Sequence, residues 1–180
     1  MLEQRIQQHF FESADLLFPA AEVLARPIAD ATSTLLGALT NGGKIIVSGS
    51  GAGASLASHF ARLLAGRFER ERPPLAALAL DGFDAPQQVR ALGLPGDVLL
   101  YIDDGEGHST KLISAAQDKD MSIVVLAGRG AQAFGELLAE TDVLVAVPHE
   151  RAARVAELQL LVLHALCDAV DFQLMGEQAP

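Results

Sequence analysis

Five short, near-continuous apolar runs, over residues 44–48, 75–80, 98–102, 122–126 and 143–147, constrain the fold of this chain most. A strand that is apolar on both faces has no face to give to water, so such runs belong to a parallel sheet covered on both sides. Stretches of helical length separate them, over about residues 53–68, 86–92, 109–117 and 131–138, and a longer helix is expected over 152–174. Before the first run, Ile6, Phe10, Leu17, Val23, Ile28, Leu35 and Leu39 recur at helical spacing. They predict two amphipathic helices, broken near Phe18-Pro19 or Arg26-Pro27 because proline cannot donate the helical hydrogen bond. The expected fold is an α/β, three-layer doubly wound sandwich with a five-stranded parallel sheet and added terminal helices. At 180 residues it makes one domain over 1–180, with N-terminal helices over 1–41, an α/β core over 42–148 and a C-terminal helix over 150–175.

Charge and composition narrow the function classes. Thirteen basic against 23 acidic residues give a net charge of −10, which argues against direct binding of nucleic acid. No apolar run approaches the ~20 residues of a membrane span. The first twelve residues lack the apolar stretch of a secretory signal. One cysteine cannot build a disulfide framework and fits a reducing compartment. These features predict a cytoplasmic protein without a membrane partner.

In such sheets ligands bind beyond the carboxyl ends of the strands, here the loops after Val47 and after Ile102. The first reads Ser48-Gly49-Ser50-Gly51-Ala52-Gly53-Ala54-Ser55 and opens a helix. Glycines permit close backbone approach, and a helix N-terminus offers free N–H groups to an anion. Three readings fit: a phosphosugar-type pocket or its remnant, a tight βα turn, and a dinucleotide fingerprint. The third lacks its acidic ribose partner about 20 residues on.

Gly49-Ser-Gly51-Ala-Gly53-Ala54, Ser58-His59-Phe60 and the segment from Gly66 to Pro73 together resemble the sugar isomerase (SIS) family. Within it the chain is similar to the phosphoheptose isomerase branch, which includes the initiator-associating protein that binds the replication initiator DnaA. The segments from Gln88 to Leu100, Arg154 to Leu158 and Leu166 to Asp171 extend the resemblance over nearly the whole chain. It implies a pocket at Gly49, Ser50, Gly51, Gly53, Ser55, His59, Asp103 and Asp104, with His164 as the catalytic histidine.

The resemblance also marks departures. The family's phosphate-binding Ser in the first loop corresponds to Gly53 here, and its hydroxyl-rich second loop to the run from Asp103 to Ser109. That run carries Asp103, Asp104 and Glu106, and each carboxylate ~4 Å from a phosphate charge costs about 4 kcal/mol at an effective dielectric of 20. The same loop also reads as an ordinary acidic helix start, or as a hard-cation site. The family's Glu base corresponds to Leu63 and its Gln to Ala156, and about 20 family residues are missing after Leu80. In some members the four chemistry groups bind zinc. His59 and His164 alone would be a poor residual site, so no cofactor is expected.

These readings predict a pseudoenzyme more than an enzyme: a non-catalytic, homotetrameric adaptor with DnaA as partner, bound through the apolar helix tip at Leu174 and Met175. The alternatives are a sedoheptulose 7-phosphate isomerase and a sensor that binds a carbohydrate derivative without turnover. Glu69 to Arg72 reads as a solvated, salt-bridged helix end, and Cys167 as an inert hydrophobe.

Overall fold

The computed structural model describes residues 1–80, 84–105 and 110–176. Strands β1 (Ile45–Gly49), β2 (Ala77–Ala79), β3 (Val98–Ile102), β4 (Ser122–Ala127) and β5 (Val143–Ala146) form one all-parallel sheet in the order β2-β1-β3-β4-β5. Alternate side chains feed two cores, as the pleat requires. Ile45, Val47, Val98, Leu100 and Ile102 pack beneath α1 (Leu2–Thr40), α2 (Ala52–Ala65) and α5 (Ala152–Met175). Ile46, Leu99 and Tyr101 pack beneath α3 (Ala85–Leu92) and α4 (Thr110–Gln117). The three-layer doubly wound sandwich is therefore present. Its strand order reverses between β1 and β3, which makes their carboxyl ends the crevice of the fold.

Five expectations need correction. The N-terminal region is one continuous helix with Pro19 and Pro27 inside it, not two helices. The carbonyls that each proline strands belong to Asp15 and Val23, which are exposed and so open to solvent. β2 covers only residues 77–79, because the Leu75 N–H is used by the Leu64 carbonyl at 3.0 Å and Pro73-Pro74 precede it. The stretch expected as a helix over 131–138 forms a single 3-10 turn, Ala131–Phe134, closed by Gly135. Finally, α2 stops at Ala65 rather than near residue 68, and Arg72 is buried rather than solvated.

Three buried charges hold these elements together. Arg72 bonds Asp171 of α5 at 2.5 Å and donates to the carbonyls of Leu63, Leu64, Gly66 and Pro73, capping the end of α2. Asp97 accepts from the Lys44 backbone at 2.9 Å, its ammonium at 2.5 Å and the Leu94 N–H at 2.8 Å, tying the starts of β1 and β3. Arg154 joins α5 to the first turns of α1. Cys167 is fully buried, and burial, with Asp171 nearby, pushes its thiol up to about 12. Among the described residues no helix is long and apolar enough to cross a membrane.

Candidate functional site

β1 ends at Gly49, and the chain turns through Ser50 and Gly51 into α2. The turn lies tight on the next strand, with the Ser50 N–H donating to the Ile102 carbonyl at 3.1 Å. Gly51 has φ +46°, which disfavours any side chain, and a Cβ there would strike the Asp104 carboxylate. Gly53 is buried against the Ile102 carbonyl so closely that a Cβ would collide with it. Gly53 is thus required by this close approach of α2 to β3, and a serine could not occupy it without moving the helix.

The acidic loop closes over this turn. Ser50 Oγ donates to Asp104 Oδ1 at 2.8 Å, and the Asp104 N–H donates back to Ser50 Oγ at 3.3 Å. A carboxylate therefore sits at the mouth of the glycine turn, where the resemblance implies a phosphate cradle. Asp103 is fully buried and accepts from the Gly105 N–H at 3.0 Å and from the Tyr101 hydroxyl at 3.5 Å. Burial pushes that hydroxyl up to about 12; a hydrogen bond with Ser50 opposes the shift, and Asp103 and Asp104 reinforce it.

Gln159 was missed by the sequence reading. Buried on α5, it donates through Nε2 to the carbonyls of Asp103 at 2.7 Å and Leu126 at 3.3 Å, fixing the acidic loop to the last helix. A glutamine inside an otherwise apolar helical face was the available signal. Glu106, the third carboxylate of the cation-site reading, lies outside the described residues, as does His108.

Further along α2, about 12 Å from Gly51 at helical rise, His59 meets His164 of α5. Their Nε2 atoms are 3.2 Å apart, so one ring donates and the other accepts. Phe68 lies against His164 with ring centroids 5.4 Å apart. Burial holds the His59 pKa below its usual value, and the charges of His164 and Arg62 act in the same direction. Leu63 is half-buried and packs into the core. No carboxylate stands at its position to move a proton. Among the described residues no third His, Cys, Asp or Glu completes a metal-binding group, so the pair does not fit the three protein ligands that zinc wants.

The structure thus gathers Gly49, Ser50, Gly51, Gly53, Asp103 and Asp104 at the switch point and His59 with His164 beside it, and leaves Ser55 exposed on α2. Leu174 and Met175 lie about 15 Å beyond His164 along α5, exposed and apart from this site.

A profile of the SIS domain matches residues 8–92. A phosphoheptose isomerase of Methylibium petroleiphilum is 53% identical over 196 aligned positions, spanning 99% of this chain and 98% of that protein. The chain belongs to the SIS family, in its phosphoheptose isomerase branch. Another SIS relative, the phosphoheptose isomerase of Neisseria meningitidis, is 41% identical with 97% of each chain covered. Among solved SIS structures, a phosphoheptose isomerase from Francisella tularensis superposes with a TM-score of 0.87 at 31% identity, covering 95% of this chain and 98% of its own. That of Neisseria gonorrhoeae gives 0.83 at 36% identity, covering 95% and 99%. The name these SIS proteins share favours an isomerase over an adaptor. The 196 aligned positions exceed the 180 residues of this chain, so at least 16 of them have no counterpart here.

Proposed function

We propose that this SIS domain has given up turnover and acts in the cytoplasm as a homotetrameric adaptor, resembling the initiator-associating protein of its branch, with DnaA as partner. The observation that carries the loss of turnover is the Asp104 carboxylate seated on Ser50 at the glycine turn. An incoming phosphate would meet fixed negative charge instead of donors. Aldose–ketose conversion also needs a base to carry a proton between adjacent carbons. Leu63 and Ala156 stand where the resemblance places the Glu and the Gln.

A second reading, sedoheptulose 7-phosphate isomerase, has direct support in the names of relatives up to 53% identical. The His59–His164 pair is compatible with it. The names argue for the branch's chemistry, and this chain's own residues argue against it.

Purified, tag-free protein incubated with sedoheptulose 7-phosphate should form no heptose phosphate above background. The same protein immobilised should retain the initiator at tens of micromolar. Turnover that disappears in His164→Ala would establish the isomerase and end the adaptor reading. Neither turnover nor retention would leave the sensor of a carbohydrate derivative as the surviving reading.

A further inference from the structure

The peptide unit between Asp103 and Asp104 is held at both of its ends. The β3–β4 ladder closes where the Asp103 N–H donates to the Leu126 carbonyl at 2.9 Å. Beyond that rung the Asp103 carbonyl accepts from a side chain, Gln159 Nε2 of α5, at 2.7 Å. At the other end of the same unit, the Asp104 N–H donates to Ser50 Oγ at 3.3 Å. A trans peptide is planar, with its carbonyl and N–H pointing in opposite directions, so a unit held at both cannot turn without losing one bond. Gln159 and Ser50 therefore fix the direction in which the Asp104 side chain leaves the main chain. That direction brings Asp104 Oδ1 to the Ser50 hydroxyl at 2.8 Å.

The two faces of the sheet share this hold. Gln159, 1% exposed, stands on the apolar face of α5 among Leu158, Val162 and Leu163. A carboxamide is costly in such surroundings unless its hydrogen bonds are met. Gln159 meets them on main-chain carbonyls alone, those of Asp103 and Leu126, so its bonds do not depend on which side chains the loop carries. From the opposite core, the Tyr101 hydroxyl reaches Asp103 Oδ1 at 3.5 Å. Gly105, at φ +83°, turns the chain back so that its own N–H meets Asp103 Oδ2 at 3.0 Å.

The Ser50 hydroxyl alone would not keep phosphate away. Phosphate offers that donor an acceptor of greater charge, and the start of α2 behind it favours any anion. The advantage of Asp104 is its tether. A tethered group competes at an effective concentration that falls as the tether loosens. Whatever stiffens the Asp103–Asp104 peptide therefore sets how hard an external anion must compete for Ser50.

We infer that Gln159 is a specificity-determining positioning residue of the crevice: through the Asp103 main chain it holds the Asp104 carboxylate on Ser50 and so excludes phosphate and sugar phosphates. The inference deepens the proposed function and rests on its account of Asp104. Retention of the initiator tests the adaptor, and phosphate binding by a Gln159 variant tests the hold, so the two fail separately.

Gln159→Met keeps the length of the side chain and removes its donor. By calorimetry this variant should bind inorganic phosphate at least tenfold more tightly than the wild type, with Asp103 and Asp104 still in place. Amide exchange at Asp104 and Gly105 should accelerate by a similar factor, while amides of β1 and β4 stay protected. A merely damaged fold would lose protection throughout and gain no ligand. Gln159→His presents an N–H at similar reach and should return both readouts to the wild-type values. Should Gln159→Met fail to fold, the wild type still decides, because the Nε2 protons of Gln159 should exchange at least tenfold more slowly than those of the exposed Gln7. Equal rates for the two side chains overturn the hold. No gain of phosphate binding in a folded Gln159→Met overturns Gln159 as the determinant, and a gain in Asp103→Ser/Asp104→Thr beside it would leave the charge argument standing. Wild-type phosphate binding as tight as that of Gln159→Met overturns both.

Discussion

In the proposed function, Asp104 decides what the switch-point crevice accepts. Its carboxylate takes the hydroxyl hydrogen bond of Ser50 that a ligand anion would need, and it does so beside the buried carboxylate of Asp103. Replacing Asp103 and Asp104 by Ser and Thr removes two like charges and adds two hydroxyls. Calorimetry should then detect inorganic phosphate or sugar phosphate binding that the wild type lacks, and tight binding by the wild type would defeat the electrostatic argument. His59 gives a second residue-scale outcome. Its pKa is depressed in the fold by burial first, then by His164 and Arg62, so the unfolded chain binds the proton more readily. Stability contributed at this site is complete above the unfolded value of about 6.5 and is lost as pH falls through that value toward the folded one. Urea midpoints should therefore drop from pH 7.5 to pH 5.5 more in the wild type than in His59→Asn. Equal slopes would mean that the imidazole pair carries no such linkage.

At the scale of elements, the motifs that carry the family resemblance turn out to be staples. The segment ending at Arg72-Pro73 and the segment ending at Asp171 meet through the Arg72–Asp171 pair, whose side chains are 2% and 7% exposed. Removing one partner of a buried pair typically costs about 3–5 kcal/mol, so Asp171→Ala should shift urea unfolding by that order. The exposed Arg67–Glu71 pair provides the contrast, and Glu71→Ala should change stability by no more than about 1 kcal/mol. Comparable losses in the two variants would mean that burial does not govern these pairs. The strands were legible from sequence because a doubly covered sheet forces apolar runs, and Ile45 to Val47 or Val98 to Ile102 could be little else. The continuity of α1 was not legible, since a proline's cost depends on whether the carbonyl it strands faces water. Ser50, Asp103 and Asp104 were legible as a site because topology places the ends of β1 and β3 side by side. The role of Gln159 was not, because its partners are main-chain carbonyls that pattern cannot locate.

Seen as a whole, the chain keeps the architecture of the phosphoheptose isomerases along nearly its full length, and in the proposed function the crevice has a different chemistry. Its acidic sheet end and its apolar helix tip at Phe172, Leu174 and Met175 lie on different parts of one frame. A tetramer built on such a frame would present each surface four times, and repeated weak contacts to a partner would then add as avidity. The Asp104 carboxylate gives that frame a thermodynamic character of its own. A pocket that takes an external anion has an empty and a filled state, and its owner can be read as a gauge of metabolite concentration. In the proposed function the Asp104 carboxylate would take that place from within the polypeptide, whatever the concentration of sugar phosphate. Ligand and receptor would then be one molecule, with a constant where a binding equilibrium would otherwise stand.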